Sequence, residues 1–202
     1  MYLAKTPSIV KPFFKDLTWK VNTNKKEIFI TFDDGPEPEV TPQVLSILEK
    51  YSAKATFFCI GENIKKHPEI FRRVLAGGHS VGNHTENHLN GWKTDTFPYL
   101  KNVAKCQRRH QFSLYRPPYG KISKQQSNAL KNRFKIIMWD VLSGDFDPKI
   151  TKEKCLENVL GNSEEGSIIV FHDSQKAKEK MLYTLPKFLE QYTKKGFEFK
   201  AL

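Results

Sequence analysis

"EIFITFDD", residues 27–34, is a near-continuous apolar run that ends in two adjacent acids. Its length and its Ile and Phe content predict a strand buried on both faces, as in a parallel sheet covered by helices. Successive side chains of a strand point to opposite faces, so Asp33 and Asp34 cannot both face one site from within it. An unpaired carboxylate turned into a core is costly. The strand is therefore expected to end at this pair, with Gly35 before Pro36 providing a sharp turn that lets both acids reach one cleft.

Downstream, the chain alternates. "TPQVLSILEKY" reads as a helix with Thr41 at its N-cap and Pro42 at its first helical position, followed by a strand at "KATFFCIG" (54–61). "HPEIFRRVLAGG" (67–78) predicts a helix opened by Pro68 and closed by glycine. Strands are expected at "HSVGNH", "SLYRPP", "FKIIMWD", "GSIIVFHD" and "FEFKAL", with helices near 95–110, 123–132, 151–160 and 177–195. About seven strands alternating with helices make an α/β fold, an open doubly wound sheet or a barrel. No glycine-rich phosphate-binding pattern accompanies them.

The 202 residues are expected to form one domain, with the motifs within 28–202 and residues 1–27 as an N-terminal extension packed on it. No apolar stretch approaches the roughly 20 residues that span a bilayer. "MYLAKTPSIVKPFF" lacks the uninterrupted apolar stretch of a signal peptide, which points to a cytoplasmic location and leaves the periplasm or cell surface open. Cys59, Cys106 and Cys155 lie nearly fifty residues apart, with no C-x-x-C pair; buried free thiols are expected rather than disulfides or a cysteine zinc site. The net charge of +11 would suit an acidic partner. The lysines are nevertheless scattered ("TNKKE", "NIKKH", "YTKKG") and no nucleic-acid motif accompanies them, so a dispersed solvated surface is the expectation and no nucleic-acid partner is assigned.

Unusual polar residues recur where strands are expected to end: Asp33 and Asp34, His84 and His88 in "GNHTENH", Arg116 in "YRPPYG", Asp140 and Asp145 in "WDVLSGDF", and His172 and Asp173 in "VFHD". The C-terminal ends of parallel strands carry the sites of α/β barrels and open sheets. His84 and His88, at i and i+4, would share one side of a helical turn and grip a metal, with one carboxylate of the pair completing a set that leaves positions open to water. Two ordinary satisfied or exposed histidines are the alternative. His172, after an apolar strand, could be a general acid oriented by an aspartate, or simply a buried hydrogen-bonded histidine; Asp173 is expected to cap the following turn. Pro117 and Pro118 have no N–H, which makes the Tyr119 N–H the first free donor after Arg116 and an oxyanion-hole candidate, with a plain turn as the alternative.

"TFDDGPEP", "HTENH", "RPPYG", "DVLSGDF" and "VFHD", in this order, resemble the five motifs of the polysaccharide deacetylases, carbohydrate esterase family four. "ATFFCIG" between the first two is also similar, and the resemblance runs from about Ile28 to the C-terminus. It implies an irregular (β/α) barrel of about seven parallel strands with the active site at their C-terminal ends. It also implies roles: Asp34, His84 and His88 as ligands of a divalent metal, usually zinc, with Co2+, Mn2+ or Ni2+ as other choices, and Asp33 as the base acting on metal-bound water. Arg116 would hold Asp33 ionised, and His172 would be the general acid, tuned by Asp145. The metal and the Tyr119 N–H would share the charge of the tetrahedral intermediate. The implied partner is an acetylated amino-sugar polymer or oligomer; oligomeric state is unassigned, with a monomer favoured.

The sequence departs from the family at Phe146, where tryptophan is usual after Asp145, and at Val170, where leucine is usual. Phe146 keeps an aromatic wall without the indole N–H. Trp92, in "NHLNGWKT", is a candidate sugar platform, with a core tryptophan as the alternative. Two other functions use the same residues: a non-haem Fe(II) oxygenase with a two-histidine, one-carboxylate set, and a glycan-binding pseudoenzyme. Asp33, Arg116 and His172 weigh against the oxygenase, because oxygen activation needs no acid–base pair whereas amide hydrolysis does.

Overall fold

The computed structural model describes residues 3–7, 9 and 14–202; the rest of the N-terminal extension lies outside the described residues. The elements run β1 (Leu17–Thr18), β2 (Glu27–Asp33), α1 (Thr41–Lys50), β3 (Ala55–Cys59), α2 (Gly61–Lys66), α3 (Pro68–Ala76), β4 (Ser80–Asn83), α4 (Thr96–Gln107) and β5 (Leu114–Tyr115). They continue with α5 (Lys124–Leu130), β6 (Lys135–Ile137), β7 (Val141–Leu142), α6 (Lys152–Leu160), β8 (Ile168–His172), α7 (Lys178–Lys194) and β9 (Glu198–Phe199). The strands pair in the order β1-β6-β5-β4-β3-β2-β8-β7, with β9 on β2, and every ladder is parallel.

This is the expected α/β architecture, a curled parallel sheet with helices around it. The edge strands β1 and β7 do not pair with each other. Antiparallel bridges Lys5–Val141 and Lys20–Ser167 instead carry the N-terminal segment across that gap. The two-residue strands β1 and β7 and the six-residue helix α2 add to the elements expected from sequence.

Alternation along the strands separates two cores. Ile28, Ile30 and Phe32 of β2, Phe57 of β3 and Phe171 of β8 pack in the large cluster shared with the helices. Phe32 stacks between Phe57 and Phe171, with ring centroids 5.0 and 6.0 Å away. The opposite face is the barrel interior, where Phe29, Phe58, Leu114, Ile137 and Ile168 form a smaller cluster. Following that interior face toward the strands' C-terminal ends leads from Phe29 to Thr31 to Asp33, and from Ile168 to Val170 to His172. The apolar floor thus gives way to polar side chains at one end. Register finishes the placement, because Asp33 is the direct partner of His172 on β8 and of Phe58 on β3. Among the described residues no helix is long and apolar enough to cross a membrane.

Thr41 is the first residue of α1 rather than its cap, which is Val40. Its hydroxyl instead accepts the Glu37 N–H at 2.8 Å and donates to Asp173 Oδ2 at 2.5 Å. Asp173 also accepts the Gly35 N–H at 3.0 Å, so it ties the β2–α1 loop down instead of capping its own following turn. Burial pushes its carboxyl up to about 8, against the pull of these donors. Gly35 is required for space: a Cβ there would lie 2.1 Å from Asp173 Oδ2. The left-handed residue at this turn is Asp34, with φ 83°, not the glycine.

Candidate active site

A cavity of about 430 Å³ opens at the C-terminal ends of the strands, lined by Asp33, Asp34, His84, His88, Tyr119, Trp139, Phe146, His172 and Lys176 among others. A larger hollow of about 530 Å³, between Asp16 and residues 131–136, lies toward the start of β6 and holds no comparable set of titratable groups. The two acids of the opening motif separate at the end of β2. Asp33 is still in the strand and faces the interior; Asp34 is past it, turned by its positive φ.

Asp33 is 5% exposed, and Arg116, wholly buried, donates from Nη1 to its Oδ1 at 2.7 Å. The guanidinium is held by further bonds to Thr31 Oγ1 (2.6 Å) and the carbonyl oxygens of Met138 (2.8 Å) and Ile137 (3.3 Å), and it lies over the Phe58 ring at 4.1 Å. Burial on its own would raise the Asp33 pKa; the charge of Arg116 above all, with that of His172, outweighs it and leaves the carboxyl below its usual range. Removing one partner of such a buried pair typically costs about 3–5 kcal/mol, because the other charge is stranded. Asp33 is therefore a fixed, ionised carboxylate at the cavity wall.

Asp34, His84 and His88 each present one ligand-type atom, all within 4.8 Å of one another. Asp34 Oδ1 is 3.3 Å from His88 Nε2 and 3.9 Å from His84 Nε2, and it is buried without a hydrogen-bond partner. His84 Nδ1 lies 2.8 Å from the Arg116 carbonyl oxygen, so that nitrogen carries the proton and Nε2 turns a lone pair to the cluster. Burial lowers His84 to about 4 and lowers His88 as well, which keeps both rings neutral. Three lone-pair donors converging with no proton among them fit a divalent cation. The "HTENH" segment is a turn and not a helical turn: Thr85 and His88 have φ of 64° and 61°. Asn83 holds it, accepting the Thr85 N–H at 2.9 Å and donating to the Val103 carbonyl oxygen at 3.0 Å.

His172 Nδ1 is 2.8 Å from Asp145 Oδ1, and the His172 N–H donates to Oδ2 at 2.7 Å, so one carboxylate fixes both ring and backbone. Burial would lower the imidazole, but Asp145 first, then Asp34 and Asp33, raise it to about 9. Phe146 stands edge-on to this ring at 5.1 Å. Asp140 does not join the site. The unanticipated strand β7 puts it at the strand's start, where its carboxylate takes Lys5 Nζ at 2.6 Å and Ser167 Oγ at 2.8 Å.

Tyr119 lines the cavity with φ 61° and its ring 4.5 Å from His88, while the N–H groups of Gly120 and Lys121 are committed to Pro117 and Pro118. Asp34, Thr85, His88 and Tyr119 are four of the five non-glycine residues with positive φ among the described residues, and such strain of about 1–3 kcal/mol each gathers at functional sites. Trp92 is neither in the core nor among the lining residues; it is 69% exposed. Sequence reasoning passed over Asn63, whose Nδ2 donates to the Asp34 carbonyl oxygen at 2.7 Å and holds its left-handed turn. It also passed over Trp139, the cavity wall. Asn63 lies two residues after "ATFFCIG", the one signal that could have drawn attention to it.

The polysaccharide deacetylase family model matches residues 20–133. Across 187 residues the chain is 36% identical to a peptidoglycan-N-acetylglucosamine deacetylase of Bacillus cereus, covering 89% of this chain and 68% of that one. It is 38% identical over 163 residues to a chitooligosaccharide deacetylase of Azorhizobium caulinodans, covering 76% and 77%. A crystal structure of a peptidoglycan N-acetylglucosamine deacetylase, bound to a naphthyl N-hydroxybenzamide, superposes with a TM-score of 0.87 at 34% identity, over 98% of this chain and 95% of that one. Motif order, fold and relatives agree, and the chain belongs to the polysaccharide deacetylase family.

Proposed function

We propose that this chain is a metal-dependent hydrolase that removes N-linked acetyl groups from N-acetylglucosamine-type sugars in a peptidoglycan- or chitooligosaccharide-like glycan. The observation that carries the reading is the grouping, in one cavity, of an arginine-held carboxylate, an aspartate-anchored imidazole and a three-ligand cluster. A facial-triad oxygenase would have no use for the first two.

Asp34, His84 and His88 would hold the cation, zinc in our assignment, which supplies Lewis acidity to the water and the acyl oxygen. Asp33 is the general base. Arg116 occupies its Oδ1, and Oδ2 takes the proton of the water that attacks the acetyl carbonyl carbon. The Tyr119 N–H donates to the acyl oxygen as it becomes negative. His172, with Nδ1–H directed at Asp145, carries the transferable proton on Nε2 and gives it to the amide nitrogen as the C–N bond breaks. The products are acetate and a free amine. Phe146 and Trp139 form the apolar wall beside the acetyl group.

Acetate release from acetylated chitooligosaccharides and from peptidoglycan fragments tests this reading. Activity on at least one of them, abolished by a chelator and restored by added zinc, is the expected outcome. A chelator-treated, metal-free protein that still turns over at the full rate would refute it.

A further inference from the structure

The Trp92 indole is exposed next to the cavity on a rigid mount. A single exposed aromatic is ordinary on a protein surface; its setting is what distinguishes this one. Residues 91–93 form a 3-10 turn three residues after His88, and the Asn90 side chain caps it by accepting the Trp92 N–H at 3.0 Å. Gly91 packs so closely that a Cβ there would come within 2.4 Å of the Lys121 carbonyl oxygen. Gln126 Nε2 bonds the carbonyl oxygens of Gly91 (2.9 Å) and Thr94 (3.0 Å). The indole Nε1–H donates to the Ile122 carbonyl oxygen at 3.2 Å. The ring's one polar atom is thus already used, and the residue is left 69% exposed.

The same short segment joins this ring to the cavity. Tyr119 and Gly120 line the cavity, and the next two residues, Lys121 and Ile122, hold Trp92. Tyr119 is itself 59% exposed, and Lys121 Nζ lies 5.4 Å from the Trp92 ring centroid. Residues 119–122 therefore link the proposed metal cluster, through the Tyr119 ring against His88, to Trp92 and Lys121.

We infer that Trp92 is the platform of an outer sugar subsite, stacking a hexopyranose of the same glycan whose acetyl group occupies the cavity, with Lys121 donating to that sugar's oxygens. The inference rests on the deacetylase reading. A hexopyranose presents a face of C–H groups with hydroxyls around its rim, which suits a π-face of negative potential beside a hydrogen-bond donor. A ring already fixed by its N–H loses little freedom on binding. The consequence is a preference for oligomers long enough to reach from the cavity to Trp92.

The test is calorimetric binding of N-acetylglucosamine and its oligomers to the Asp33→Asn protein, with and without Trp92→Ala. Affinity should rise with length and then level off; Trp92→Ala should weaken the long oligomers about ten-fold, as truncating an aromatic anchor does, and leave the monosaccharide unchanged. Trp92→Phe should recover most of the loss. An unchanged affinity for long oligomers, an equal loss at every length, or no sugar binding at all would overturn the platform. Acetate release by the otherwise native chain separates the two readings: Trp92-dependent binding without turnover would sink the deacetylase and spare the platform, whereas turnover without Trp92 dependence would do the reverse.

Discussion

Asp33 and Asp34 are chemically identical neighbours whose surroundings push them to different work. Asp33 remains in β2, facing inward, and receives a buried guanidinium; Asp34 lies one residue beyond the strand, with a positive φ and an unpartnered oxygen among two imidazoles. The expectation that both acids could reach one cleft holds, but the turn is made by Asp34, and Gly35 is there to clear Asp173. The same contrast separates the histidines. His84 is held neutral by burial, as metal ligation would require, while Asp145 draws His172 up to about 9, which leaves it protonated at neutral pH. The sign for catalysis follows. The donor form is present below that value and is lost as pH rises through it, so kcat/KM should fall on the alkaline side near pH 9. Asp145→Asn removes the largest raising influence, and its alkaline limb should move to lower pH by at least about a unit. Identical pH–rate profiles for the two proteins would refute Asp145's tuning of His172.

At the scale of elements, legibility followed length and pattern. The long apolar strands and the capped helices stood out, because a seven-residue run such as β2 or a seventeen-residue amphipathic helix such as α7 carries many repeats of its period. The two-residue β7 carries none, and missing it assigned Asp140 to the wrong end of the sheet. The i, i+4 spacing of His84 and His88 suggested a helical turn. Their convergence is instead made by left-handed Thr85 and His88 and by Asn83, a geometry that spacing alone does not encode. Helix α2 was missed for its brevity, and with it Asn63, which reaches back to the Asp34 carbonyl oxygen. Losing that bond leaves the left-handed backbone of Asp34, a proposed metal ligand, unsupported. Asn63→Ala should weaken zinc binding about 10–100-fold, as removal of an outer partner of a metal ligand does, and calorimetric zinc titration reads it. Unaltered zinc affinity would show that the turn holds without Asn63.

At the scale of the molecule, the curled parallel sheet gathers five separate sequence motifs at one end, above an apolar interior that excludes water beneath Arg116. The succession of the longer strands along the chain was readable from apolar runs followed by polar residues; their order in the sheet and the pairing of Asp33 with His172 came only from the register across neighbours such as β2 and β8. The central proposal is that the adjacent carboxylates divide the labour, one on the metal and one on the water. Zinc content and acetate release of Asp33→Asn and Asp34→Asn, measured side by side, test this most directly. Asp33→Asn is expected to retain one zinc per chain and lose activity by about 10²-fold or more. Asp34→Asn is expected to lose both metal and turnover. Loss of zinc from Asp33→Asn, or near-normal acetate release by it, would contradict the division.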